Sequence, residues 1–171
     1  SHDREGIWGA QAVAAAVAVA MAEGSMEEIL GAALRAAPEG SWFAYAMNQA
    51  FEIVDRAGGE VLSAWMPLHD ALWTSYKAAV SEAVAQAFGV LRMNHPDFRH
   101  GAIWAGNFGR DADTIGAICG AVLGAKHGLS GIPHDWVEKT RYPSGTCLHF
   151  TKGLDLLQVA DQLADCCLKN P

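Results

Sequence analysis

Trp104-Ala105-Gly106-Asn107-Phe108-Gly109-Arg110-Asp111-Ala112-Asp113-Thr114, running on into the apolar segment Ile115 to Gly128, is the stretch on which the reading of the chain turns. Two carboxylates and a hydroxyl fall between Asp111 and Thr114, just ahead of a small-residue segment with helical character. Two like charges about 4 Å apart repel by roughly 1 to 4 kcal/mol, depending on the local dielectric. Open water, a shared proton or a cation must offset that repulsion. A hard cation such as Mg²⁺ takes oxygen ligands in near-octahedral geometry, and carboxylate, carboxylate and hydroxyl are suitable donors. The bland alternative is capping. Asp and Thr ahead of a helix accept hydrogen bonds from its free N–H groups, and the helix dipole favours negative charge there. The two readings are compatible if Asp113 caps while Asp111 and Thr114 face an ion.

The helix expected after Thr114 carries Gly116, Gly120 and Gly124 at four-residue intervals. Each glycine costs about 1 kcal/mol relative to alanine in a helix interior. Three in register predict that another backbone packs closely along that face. Gly128 is a natural stop.

Outward from this stretch, the remaining pattern is helical. A first helix is expected from about Gly6 to Ala22, rich in Ala and Val on nearly all faces and therefore expected to be buried. Ser25 with Glu28 reads as a capping box for a second helix, which Pro38 stops. Ser41 caps a third, with Phe43, Met47, Phe51 and Val54 on its stripe and Gly58-Gly59 at its end. From Glu60 to Thr74, Pro67 argues against a continuous helix, and a loop or short helical turns are expected. His69-Asp70 lies there, either as a charged pocket pair or as surface residues on a connection. A strong helix is expected from about Tyr76 to Met93, ended by Asn94 and Pro96. Asp97 caps another from Phe98 to about Trp104; Pro133 begins a helix carrying Trp136; the last runs from Leu154 to Leu168. His95 and His100 are isolated and make poor metal ligands. No strand has period-2 support, so the class is all-α, a packed multi-helix bundle in a single domain covering 1–171.

Composition bounds the rest. At 171 residues, 51 % hydrophobic and 18 % charged, the chain is globular rather than disordered, and can bury about 70 % of its unfolded surface. A net charge of −7 disfavours nucleic acid or an anionic membrane as the main partner. The apolar run Ile7 to Ala22 has a negatively charged flank, Asp3-Arg4-Glu5, which does not suit a signal peptide, and it is short for a bilayer span. Cys119, Cys147, Cys166 and Cys167 show no Cys-x-x-Cys spacing, so they read as reduced cytosolic thiols and the expected location is cytoplasmic.

Gly109-Arg110-Asp111-Ala112-Asp113-Thr114-Ile115, continued by Gly124-Ala125-Lys126-His127-Gly128, resembles the C-terminal signature of the ADP-ribosylglycohydrolase family, Gly-Gly-Asp-x-Asp-Thr-Ile before an Ala/Gly-rich helix. Ile132-Pro133 and Trp136 resemble the family's continuation. Ser1-His2, Gly6 and Gly9-Ala10-Gln11-Ala12-Val13-Ala14 are similar to its Ser/Thr-His segment before an Ala-rich helix. The resemblance implies an all-helical fold and hydrolysis of the bond between ADP-ribose and a protein side chain or small acceptor. It implies two Mg²⁺ ions in the complete site, with Asp111, Asp113 and Thr114 as metal ligands and His2 as an ADP-ribose contact. It assigns no catalytic base here. Arg110 departs from the family's second Gly, either narrowing the pocket or supplying a cation near the ligand. The family's Thr/Ser-Asp-Asp motif is absent, so the chain resembles the C-terminal part of such a protein. Its expected partners are an ADP-ribosylated substrate and the missing N-terminal half or a second chain. Two alternatives stand beside this. One is a non-catalytic relative or fragment with a structural or binding role. The other is a phosphatase of the haloacid-dehalogenase type, whose Asp-x-Asp-x-Thr follows an apolar strand; here Thr114 directly follows Asp113 and no strand precedes it.

Overall fold

The computed structural model describes residues 3–93 and 97–169. Among them the fold is all-helical, with nine α-helices and no strand. They are α1 (Arg4–Met21), α2 (Met26–Ala36), α3 (Trp42–Arg56), α4 (Val61–Leu72), α5 (Val80–Arg92), α6 (Phe98–Asn107), α7 (Ala112–His127), α8 (His134–Thr140) and α9 (Leu156–Lys169). The chain forms two compact units, 1–131 and 132–171. Among the described residues no helix is long and apolar enough to cross a membrane.

In the first unit, α5 is the core. Every residue from Ser81 to Leu91 is buried, and α1, α2, α3, α4, α6 and α7 all pack against it. A helix covered on every side must be apolar and small enough for its neighbours to approach. Gly89 shows how: a Cβ there would lie 3.3 Å from both Leu68 methyls and 3.6 Å from Ala50 Cβ. Around α5, the fully buried Phe43, Phe88 and Ile115 belong to α3, α5 and α7. Each contributes up to about 1.5–3 kcal/mol of transfer free energy.

The caps are those written in the sequence. Ser25 and Glu28 form the capping box, Ser41 accepts from Ala44 N–H, and Asp97 accepts from His100 N–H. Four expectations are corrected. Pro67 lies inside α4 rather than ending a helix. Pro67 and Ser63 are both exposed, so water can take the Ser63 carbonyl that proline leaves without a donor. The Tyr76–Met93 helix starts only at Val80; ahead of it Thr74 bonds to Glu82 through its N–H and Oγ1, and its Oγ1 also lies 2.8 Å from the Tyr76 carbonyl. Helix α1 is buried along Gly9, Ala12, Ala16 and Ala20 alone, while Ile7, Ala10, Ala14, Ala18 and Met21 are exposed. Finally, the glycine face of α7 is open. Among the described residues nothing lies within 4 Å of a Cβ built at Gly116 or Gly120, and Gly124 meets only the Phe98 ring, at 3.8 Å.

The second unit is held by polar links more than by a core. None of α8 is buried. The turn between α8 and α9 is closed by Arg141, whose Nε and Nη2 donate to the two Asp155 carboxylate oxygens at 2.9 and 2.6 Å. Asp155 Oδ1 also accepts from Leu157 N–H.

Candidate metal centre at the head of helix seven

Helix α6 hands over to α7 through a turn of unusual backbone. Gly109 has φ +91° and Arg110 φ +56°. Glycine adopts such a conformation freely; for a side chain with a Cβ it is strained by roughly 1–2 kcal/mol. A Gly-Gly pair would be relaxed there, which accounts physically for the second glycine of the related signature. Arg110 is held in place by its side chain. Its Nε donates to Glu82 Oε1, and its Nη2 donates to Glu82 Oε2 at 2.9 Å and to the Thr74 carbonyl at 2.7 Å. Its guanidinium lies 5.6 Å from the centre of the Trp73 ring. Glu82 is fully buried. Oε2 of that carboxylate also accepts from Thr74 N–H at 2.7 Å and from Thr74 Oγ1 at 2.8 Å. Burial pushes the Glu82 carboxyl up, but the hydrogen bonds from Arg110 and Thr74 together outweigh it and hold the group below its ordinary value. Arg110 is thus engaged by Glu82 and Thr74, rather than being a free cation for a ligand.

On the other side of Gly109, Phe108 is 2 % exposed, and its carbonyl accepts from His69 Nε2 at 2.7 Å. The two rings stack at 4.3 Å with 13° between their planes. Trp65 lies 4.9 Å from Phe108 and edge-on to Trp104 at 5.7 Å. His69 is therefore neither half of a pocket ion pair nor a residue on a loop; it is a half-buried helical side chain bracing the turn.

The acidic residues follow at once. Asp111 occupies the N-cap position of α7, yet its side chain caps nothing. It is 6 % exposed. Asp113 is exposed and Thr114 half-buried. Both lie inside the first turn of α7, so Asp113 is not the cap. Among the described residues, neither carboxylate accepts a hydrogen bond. The buried side-chain oxygens and nitrogens without a partner among the described residues belong to Glu5 and Gln86, not to Asp111. The spare acceptor sites on Asp111, beside a second carboxylate and a hydroxyl, are the donor chemistry of a hard divalent ion. The described residues do not complete such a site: no cluster of three or more His, Cys, Asp or Glu gathers anywhere among them. The fit is to one side of a metal centre. His2, expected to contact a ligand, lies outside the described residues, as does His95. His100 pairs with Asp97 through Nδ1 at 2.9 Å.

The family profile described as ADP-ribosylglycohydrolase matches residues 1–170. The chain belongs to the ADP-ribosylglycohydrolase family. Its helical architecture agrees with that family's fold. Two bacterial relatives carry the name ADP-ribosylarginine hydrolase Tri1. The protein from Pseudomonas putida (strain GB-1) is 39 % identical over 49 residues, 29 % of this chain. That from Serratia proteamaculans (strain 568) is 39 % identical over 46 residues, 27 % of this chain. In each case the similarity spans only 13 % of the relative's length. No solved structure matches the chain. In the sequence, spacing leaves Asp111, Asp113 and Thr114 open to capping or metal binding, and it is the resemblance that implies metal ligands. The Glu82–Arg110 pair, 28 positions apart in sequence, left one signal, the arginine standing where the family signature has glycine.

Proposed function

We propose that this chain is the C-terminal part of a Mg²⁺-dependent hydrolase that cleaves the glycosidic bond between ADP-ribose and a protein side chain or small acceptor. The name shared by both relatives supports arginine as the acceptor. One observation carries the reading: Asp111, a largely buried residue, keeps a carboxylate to which no described residue donates, at the N-cap of the helix whose first turn holds Asp113 and Thr114. These three groups would hold the metal from the α7 side. When bound, Mg²⁺ supplies Lewis acidity and lowers the pKa of a coordinated water. The first turn of α7 adds free backbone N–H groups and the positive end of the helix dipole, which suit an anionic pyrophosphate. In a chain of net charge −7, that local positive potential is needed for such a ligand. The turn at Gly109–Arg110 fixes where Asp111 begins.

The remaining ligands and the general base are supplied, in this proposal, by an N-terminal half or a second polypeptide. The open Gly116/Gly120 face of α7 and the exposed apolar row Ile7, Ala10, Ala14, Ala18 and Met21 on α1 support a partner there. Contiguous apolar surface of this kind marks an interaction site more often than a bare exterior. His2 remains a proposed substrate contact. Four cysteines without disulfides suit a reducing compartment, and we place the protein in the cytoplasm.

The test is Mg²⁺-dependent release of ADP-ribose from an ADP-ribosylated arginine substrate, measured with the chain alone and with any upstream segment restored. The expected result is negligible release alone and metal-dependent release when restored, lost in Asp111→Ala. A second reading, a non-catalytic relative, is favoured by the incomplete donor set of the described residues. Absence of release from the restored protein would establish it in place of the first.

A further inference from the structure

We infer that Arg110 and Glu82 form a positioning lock, in which a core carboxylate clamps the turn that presents Asp111 and so does the work done by a second glycine in the related signature. The inference rests on the proposal that Asp111 is a metal ligand, and it concerns what holds that ligand.

Two unfavourable features converge on one turn. Arg110 carries a side chain in the left-handed region, at φ +56°. Glu82 places a carboxylate, 0 % exposed, on the core helix α5. Neither is needed for packing: a glycine would relax the first, and an apolar residue of similar volume in place of a buried ion pair is often neutral or stabilising. Together they create a rigid joint. Glu82 Oε1 takes Arg110 Nε, and Oε2 takes Arg110 Nη2, Thr74 N–H and Thr74 Oγ1, so both oxygens are engaged. Two-pronged guanidinium–carboxylate pairing fixes direction as well as distance. Lys77 Nζ approaches the Arg110 carbonyl at 3.4 Å. Before Gly109 the backbone is pinned by His69 on the Phe108 carbonyl; after it, Glu82 holds the Arg110 side chain and Lys77 meets the Arg110 carbonyl. Gly109 is the single joint between the two pins, and Asp111 follows the second directly. A metal ligand loses affinity when its carrier backbone is free to wander, because that freedom must be given up on binding. Arg110 therefore acts through Asp111 as a positioning residue, without itself touching the metal or the substrate.

The experiment uses the whole 171-residue chain and two variants. Arg110→Gly with Glu82→Gln removes the lock without stranding a buried charge. Arg110→Lys keeps the charge and loses the two-pronged geometry. Amide hydrogen exchange is followed residue by residue, and Mg²⁺ affinity is measured by titration calorimetry. In the double variant, exchange at residues 109–112 should accelerate at least tenfold while protection in the middle of α5 and α7 holds, and Mg²⁺ should bind at least fivefold more weakly. Arg110→Lys should fall between the double variant and the unaltered chain on both measures. Unchanged exchange at 109–112, or acceleration spread evenly over all helices, overturns the lock. So does an unchanged Mg²⁺ affinity in the double variant when the unaltered chain binds the ion. If the unaltered chain binds no Mg²⁺, the metal proposal fails for the isolated chain. The exchange at 109–112 then decides the lock by itself.

Discussion

His69 donates from Nε2 to the carbonyl of Phe108 at 2.7 Å while its ring lies flat on the Phe108 ring. A residue on α4 thereby grips the backbone 39 positions later, one residue before the bend that leads into α7. His69→Ala removes both contacts and leaves a carbonyl without its donor at a nearly buried residue, which costs about 1–3 kcal/mol. His69→Phe restores the stacking alone. Chemical denaturation of both variants should show His69→Phe recovering part of the loss. The remaining gap, about 1 kcal/mol, measures the hydrogen bond. Equal stability of the two variants would mean that the stacking contributes nothing, and full recovery by His69→Phe would mean the same of the hydrogen bond.

Asp111 should behave in opposite ways with and without metal. Two carboxylates close together without a cation repel each other, so Asp111→Asn should raise the metal-free unfolding midpoint by about 2–4 °C, the shift expected per kcal/mol in a chain of this size. The unaltered chain should gain stability as Mg²⁺ is added, by about 2.7 kcal/mol at a hundred times its dissociation constant. Asp111→Asn should gain almost none. Differential scanning fluorimetry across a Mg²⁺ series reads both effects, and a parallel rise in the two proteins would remove Asp111 from the metal site.

How far the sequence foretold this site depends on the range of the interactions involved. Caps were legible because Ser25, Ser41 and Asp97 act on N–H groups three residues away. Asp111, Asp113 and Thr114 stand out in the sequence because they fall within four residues. The continuous α4 was missed because Pro67 was weighed by its missing N–H alone, whereas an exposed helix face tolerates that loss. The meaning of Arg110 was missed because Glu82 recruits Thr74 and Arg110 from distant segments, and no local pattern announces such a pairing. The cap role of Asp113 failed by two residues, since α7 begins at Ala112. Gly116, Gly120 and Gly124 stand out in the sequence, but the close-packed backbone that their spacing predicts is not found among the described residues.

That open face yields a prediction of its own. With nothing within 4 Å of a Cβ at Gly120, Gly120→Ala should stabilise the isolated chain by about 0.5–1 kcal/mol through helix propensity. Gly120→Leu should be tolerated in the isolated chain yet impede assembly with the proposed N-terminal half. Urea unfolding together with a binding assay against that half checks the pair. A large destabilisation by Gly120→Leu in the isolated chain would show the face to be covered.

The second unit should respond to acid through Asp155. Hydrogen bonding from Arg141 holds its carboxyl down at about 2. A group whose folded value lies below its unfolded value of about 3.9 adds stability above that unfolded value. That contribution fades as pH falls from about 4 toward 2. Amide exchange in α8 and α9 should therefore accelerate across that window and level off below it. Asp155→Asn should exchange faster at neutral pH and show a flatter acid response. An identical acid response in Asp155→Asn would assign the transition to another group.

Cys119 sits on α7 with its Sγ against the Ala87 carbonyl at 3.4 Å, fully enclosed, and burial pushes the thiol far up from its ordinary range. Cys147, Cys166 and Cys167 face solvent. An alkylating reagent will consume those three at once and wait for Cys119 until α7 lifts from α5. The molecule thus carries an internal stopwatch, timing the opening of the very helix whose first turn bears the acidic residues.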